Sequence, residues 1–130
     1  PPQPTDTTSG APLVTVPGIF AGDTTGFTDD YGDPSGCTNY AAAGNDGVFA
    51  IAMNNGDSVT LDLLFDPAID ASLYVSDDPA APDTNCVDGV DALVGGSEQL
   101  VFTAPATATY YIIVDSYDAG GSPFTLTLSP

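Results

Sequence analysis

The chain has 130 residues, enough for one domain with a single sizeable core, and it carries 18 acidic side chains but no lysine, arginine or histidine. A formal charge of −18 with no basic residue excludes nucleic acid and acidic membrane surfaces as partners, because both are bound through basic footprints. It also removes most catalytic chemistry, since there is no histidine for general base work, no lysine for a Schiff base and no arginine to clamp an anion.

Taken in order, residues 1–17 read as an extended arm and residues 18–130 as the domain. The opening PPQPTDTTSGAP is rich in proline and threonine and reads as polyproline-like chain, followed by a candidate short strand, Leu13–Val16. No charged-then-apolar leader opens the sequence and no apolar run approaches the roughly 18 residues of a membrane span, so the chain reads as a mature, soluble product. A second strand candidate surrounds Ile19 and Phe20. Residues 22–47 form a long acidic loop containing Cys37.

From Val48 the strands come at regular spacing. Phe49, Ile51 and Met53 share one face, and Asn54–Asp57 carries the Asn-Gly signal of a tight hairpin turn. Val59, Leu61, Leu63 and Phe65 then point inward, with Thr60 and Asp62 outward. Leu73 and Val75 mark the next strand. Residues 77–96 read as a second long acidic loop, containing Cys86. Glu98–Ala104, Thr109–Tyr117 and Pro123–Ser129 complete the set; TYYIIV is apolar on both faces and reads as a central strand. About seven to eight short strands with turns between them predict an all-β, antiparallel, jelly-roll-like β-sandwich. If successive strands run up and down, loops 22–47, 66–70 and 104–108 share one end, and 54–57, 77–97 and 116–122 the other.

Cys37 and Cys86 both sit in polar, turn-rich stretches, unlike a buried structural thiol, and zinc is a poor alternative for two cysteines without histidine. They read as a disulfide closing a loop of 49 residues along the side of the sandwich, which implies an oxidising compartment.

Of the 18 acids, 17 are aspartate and only Glu98 is glutamate. Aspartate is a turn former and also a hard oxygen ligand for calcium, and both readings stand. The calcium reading groups Asp29, Asp30 and Asp33 in the first loop with Asp23 and Asp46 at its ends. A second group joins Asp77 and Asp78 to Asp115 and Asp118. The six tyrosines could suggest a carbohydrate or peptide platform, but Tyr110 and Tyr111 suit core and sheet-face packing better, no tryptophan offers a sugar-stacking face, and Ser97 and Ser116 lack any base.

The pieces GDTTGFTDD (22–30), GNDGVFAI (44–51), NGDSVTLDL (55–63), DASLYVSDD (70–78) and LVFTAPATATYYIIVDSYDAGGSPFTLTL (100–128) resemble the bacterial pre-peptidase C-terminal domain. The resemblance covers about four-fifths of the chain, and its closing stretch is the most specific part. It implies a secreted, non-catalytic accessory β-sandwich, of a kind in which some members bind calcium or insoluble polymers.

Two functions follow as expectations. One is an extracellular structural subunit of a calcium-stabilised filament or surface coat, its arm contacting a neighbouring copy of itself. The other is a secreted calcium-binding accessory or adhesive module of a hydrolase or surface protein, with a polymer or cell-surface ligand. Neither involves catalysis, nucleic acid or membrane insertion.

Overall fold

Strict alternation of apolar and polar side chains marks two stretches, residues 59–63 and 124–128. Val59, Leu61 and Leu63 are buried between half-exposed Thr60 and Asp62, and Phe124, Leu126 and Leu128 between half-exposed Thr125 and Thr127. The computed structural model describes residues 2–92 and 96–130. Among them are β1 (Gly18–Asp23), a one-turn helix α1 (Ser35–Thr38), β2 (Gly47–Met53), β3 (Ser58–Leu64), β4 (Ala71–Ser76), β5 (Cys86–Val90), β6 (Ser97–Thr103), β7 (Ala108–Ser116) and β8 (Pro123–Ser129). They build two antiparallel four-stranded sheets, β1-β8-β3-β6 and β2-β7-β4-β5. Only β4 and β5 are neighbours both in sequence and in a sheet, which is the strand order of a jelly roll.

The inner faces meet in one core. Phe49 packs on Phe20 and Phe124, with ring centroids 5.8 and 6.2 Å apart, and Phe102 packs edge-on against Tyr110 at 5.1 Å. The Tyr110 hydroxyl donates to the Ala106 carbonyl at 2.6 Å, so the one polar atom of that buried ring is satisfied. TYYIIV lies in β7, between β2 and β4, as its two apolar faces require.

Four expectations change. Asn54–Asp57 is a turn, closed by Asp57 N–H to the Asn54 carbonyl (3.0 Å) with Gly56 at φ +88°, but it is not a hairpin. It carries the chain from one sheet to the other, because Asn-Gly specifies the turn and not which strands pair. Leu13–Val16 makes a single bridge, Leu13 to Ala50, in place of a strand. The stretch 77–96 contains β5, a half-exposed edge strand without alternation. Counting β5 inverts the parity of every later connection. Loops 24–46, 65–70 and 117–122, with the end of β5 and the start of β6, therefore share one end, and 54–57, 77–85 and 104–107 the other.

The two outer faces differ. The β1-β8-β3-β6 face is bare, with Ile19, Leu64 and Val101 each more than 60% exposed among threonines. The β2-β7-β4-β5 face is covered by the 24–46 loop, whose Tyr31 packs with Val48, Tyr74 and Ile113 of the sheet. The Cys37–Cys86 disulfide ties α1 in that loop to the start of β5. The N-terminal arm closes the β2 edge: Thr5 and Val48 exchange N–H to carbonyl bonds of 3.1 and 2.8 Å, Ala50 N–H donates to Pro12 and Val14 N–H to Ala50, both at 2.8 Å.

Candidate functional site

The site begins with a problem of burial. Asp46, immediately before β2, and Asp115, near the end of β7 on the covered face, are both fully buried. Asp46 Oδ2 accepts the N–H groups of Asp30 (2.8 Å) and Tyr31 (2.6 Å), and Asp115 Oδ1 accepts that of Ser116 (2.8 Å). The remaining oxygens, Asp46 Oδ1 and Asp115 Oδ2, have no hydrogen-bond partner among the described residues. The two side chains come within hydrogen-bonding reach of each other. Burial is the main cause that pushes Asp46 up to about 8, against the lowering effect of its two N–H donors. Burial, then the neighbouring Asp46 charge, raises Asp115 well above the carboxylate range. The buried Tyr74 hydroxyl is held protonated by burial first and by the Asp115, Asp46 and Asp83 charges after it, and it donates to the Tyr31 carbonyl at 3.4 Å.

Around this pair the loop supplies further acids. The charge of Asp29 acts on both Asp46 and Asp115, and burial raises Asp29 itself, with Asp30 and Asp83 adding to it. Thr28 bridges Asp30 to Asp6 of the arm, its hydroxyl 2.9 Å from Asp30 Oδ2 and 3.0 Å from Asp6 Oδ2. Asp33 N–H donates to Asp83 at 3.0 Å, which fastens the 77–85 loop to the first loop.

The remaining candidates divide. Asp23 is exposed and is lowered below its ordinary value by the Thr25 side chain first and then by the Thr25 N–H, which it accepts at 2.9 Å. Asp78 accepts from Asn85 and Ala80 in its own turn and is lowered in the same way, and Asp77 beside it is exposed. Asp118 does not stand with Asp115; it meets Asp70, whose N–H it accepts at 3.2 Å. Behind it lies a second buried group, Asp91 and Glu98, each pushed up to about 7 chiefly by burial. Sequence reasoning did not group Asp70, Asp91 and Glu98. The available signal was that the chain's only glutamate occupies an inward position of β6, in register with Leu100 and Phe102. Among the described residues no three His, Cys, Asp or Glu side chains are gathered at metal-ligand spacing. The carboxylate pairs are of the hard-oxygen type that suits calcium, and each is short of ligands until more oxygens close on it.

The architecture is that of an accessory-type jelly-roll β-sandwich with a disulfide-tied loop over one sheet. The profile of the bacterial pre-peptidase C-terminal domain matches residues 46–116, more than half of the chain, and the chain belongs to that family. Among solved structures it is similar to the pre-peptidase C-terminal domain of a collagenase from Bacillus anthracis, with a TM-score of 0.62 and 15% identity over 92% of this chain and 94% of that one. It is also similar to PliG of Aeromonas hydrophila, a periplasmic inhibitor of g-type lysozyme, with a TM-score of 0.54 and 15% identity over 92% and 93%. CorA, a surface-associated copper-binding protein of Methylomicrobium album BG8, gives a TM-score of 0.57 and 11% identity over 98% of each chain. These likenesses concern the fold alone. Among curated protein sequences none matches.

Proposed function

We propose that the chain is an extracellular, non-catalytic accessory module of the binding type, in which a divalent cation of the calcium class pins the 24–46 loop to its sheet. The observation that carries this reading is the Asp46–Asp115 pair: two fully buried carboxylates, each with an oxygen lacking a donor among the described residues, in a chain without one side-chain cation. Asp46 and Asp115 would hold the ion, and Asp29, whose charge already acts on both, is the further ligand. The bound cation supplies the countercharge that the chain does not encode. Family membership and the disulfide support the extracellular setting, and no helix among the described residues is long and apolar enough to cross a membrane. The bare β1-β8-β3-β6 face is the surface offered to a polymer or cell-surface ligand.

The test is a thermal melt of the full chain in chelator and in calcium, beside Asp46→Asn/Asp115→Asn. Calcium raises the wild-type Tm, and raises that of the double variant by a smaller amount. A wild-type Tm indifferent to calcium overturns the reading. Co-sedimentation with insoluble polymers, with and without calcium, tests the binding role.

A second reading is favoured by the arm. Its hold on β2 consists of main-chain hydrogen bonds, which a neighbouring copy's arm could make equally well, so the same edge suits a filament or coat built by exchanging arms. Electron microscopy of the full chain in calcium tests it: filaments that vanish when residues 1–14 are removed support it, and a monomer at every concentration refutes it.

A further inference from the structure

We propose that Asp70, Asp91, Glu98 and Asp118 form a second hard-cation site at the rim of the sandwich, separate from the Asp46–Asp115 pair. The two groups do not overlap: the charges that act on Asp91 are those of Asp70, Glu98 and Asp118, whereas those that act on Asp115 are Asp46 and Asp29. The rim group lies at the end of the sandwich where β4 and β6 begin and β5 ends, beside the 117–122 connection.

Its location follows from the strand pattern. Glu98 takes the first inward position of β6, below which Leu100 and Phe102 enter the core. Asp91 is the residue directly after β5, and Asp70 the one directly before β4. The backbone ends of three strands thus aim three carboxylates into one space, and Asp118 approaches from the β7–β8 loop. Asp91 is 8% exposed and Glu98 4%. Ala92 N–H satisfies Glu98 Oε2 at 2.7 Å, and Asp70 N–H satisfies Asp118 Oδ2 at 3.2 Å. Four buried oxygens remain without a partner among the described residues: Asp70 Oδ1, both oxygens of Asp91 and Glu98 Oε1.

A shared proton answers only part of this. Asp70 and Asp91 lie within hydrogen-bonding reach, so one proton serves that pair and leaves Glu98 Oε1 as it was. No lysine, arginine or histidine exists anywhere in the chain to supply the charge. A hard cation accepts six to eight oxygens at once, takes carboxylates one or two oxygens at a time, and fills the remainder with water and carbonyls. The carboxylates are not yet at ligand spacing, so occupation draws Asp70, Asp91, Glu98 and Asp118 closer together. Removal of like-charge repulsion favours that contraction.

The test is calorimetric titration of the chelator-treated full chain with calcium chloride, for the wild type, Asp91→Asn/Glu98→Gln and Asp46→Asn/Asp115→Asn. The wild type takes up calcium at a rim site that the Asp91→Asn/Glu98→Gln variant loses and the Asp46→Asn/Asp115→Asn variant keeps. In chelator the rim variant melts above the wild type, because two buried charges are gone, and its calcium-dependent rise in Tm is smaller. A purely structural role for these acids would lower that Tm instead. Calcium stoichiometry unchanged in the rim variant overturns the proposal, as does loss of all binding in Asp46→Asn/Asp115→Asn. Loss of binding in the rim variant alone sustains it while the reading of the Asp46–Asp115 pair fails. Should the double variant not fold, Glu98→Gln alone is titrated: a tenfold or greater weakening at one site sustains the proposal, and unchanged affinity overturns it.

Discussion

Asp46 and Asp115 meet beneath the 24–46 loop, one carried by the residue before β2 and the other by the end of β7, neither exposed to solvent. Gly47 pairs with Val114, so the sheet register itself brings the two acids together.

Stability in chelator should fall as pH rises, the reverse of ordinary acid denaturation. Asp46 keeps its proton to about 8 in the folded chain, against 3.8 as its ordinary value. Asp115 shifts in the same direction. Between those limits the folded state binds more protons than the unfolded one, so the unfolding free energy decreases with pH. The stabilisation is complete below about pH 4 and is lost as pH passes through about 8. Urea midpoints measured from pH 4 to 9 check this. Saturating calcium should flatten the slope, and Asp46→Asn should reduce it.

Removing the disulfide by Cys37→Ser/Cys86→Ser should cost about 4 kcal/mol, the loop-closure entropy of a bridge of this length. The loop closed spans 49 residues. The same change should weaken calcium binding, because the 24–46 loop carries Asp29 and the backbone donors of Asp30 and Tyr31 that orient Asp46. Denaturant unfolding and calcium titration of the variant give the two readouts.

Most of the strands were legible in the sequence, most plainly those with one face buried and the other wet. β3, β6 and β8 alternate buried and exposed positions without a break, and β7 announced itself as a central strand by TYYIIV, apolar on both faces. β5 stayed hidden because CVDGV lies at a sheet edge, half-exposed on both faces, and has no alternation to detect. That single omission also misassigned the loop ends, and with them the grouping of Asp77 and Asp78 with Asp115 and Asp118. The acids themselves were legible one by one. Their partners were not: Asp46 and Asp115 meet through the pairing of β2 with β7, far apart in sequence, and Asp70 and Asp91 flank β4 and β5, a pairing hidden with β5 itself.

Gly89 of β5 sits where α1 presses on the sheet. A Cβ there would stand 2.9 Å from Thr38 Cγ2 and from Tyr74 Cβ, and 3.2 Å from Cys37 Cβ. Gly89→Ala should therefore lift α1 from the strand and destabilise the chain by about 1–3 kcal/mol, the usual cost of overpacking. The loss should be accompanied by faster amide exchange in Ser35–Thr38, and an unchanged exchange rate there would mean that the helix is not held by this contact.

Phe49 is the most informative core position, since it joins the two sheets. It projects from β2 into Phe20 of β1 and Phe124 of β8, at centroid distances of 5.8 and 6.2 Å, and is fully buried. Truncation removes contacts on both sheets at once, and the neighbouring rings are too constrained by their strands to refill the space. Phe49→Ala should cost about 3–5 kcal/mol, at the upper part of the range for core truncations. The urea midpoint should drop while the slope of unfolding stays unchanged, which separates a cavity in an intact sandwich from separation of its sheets.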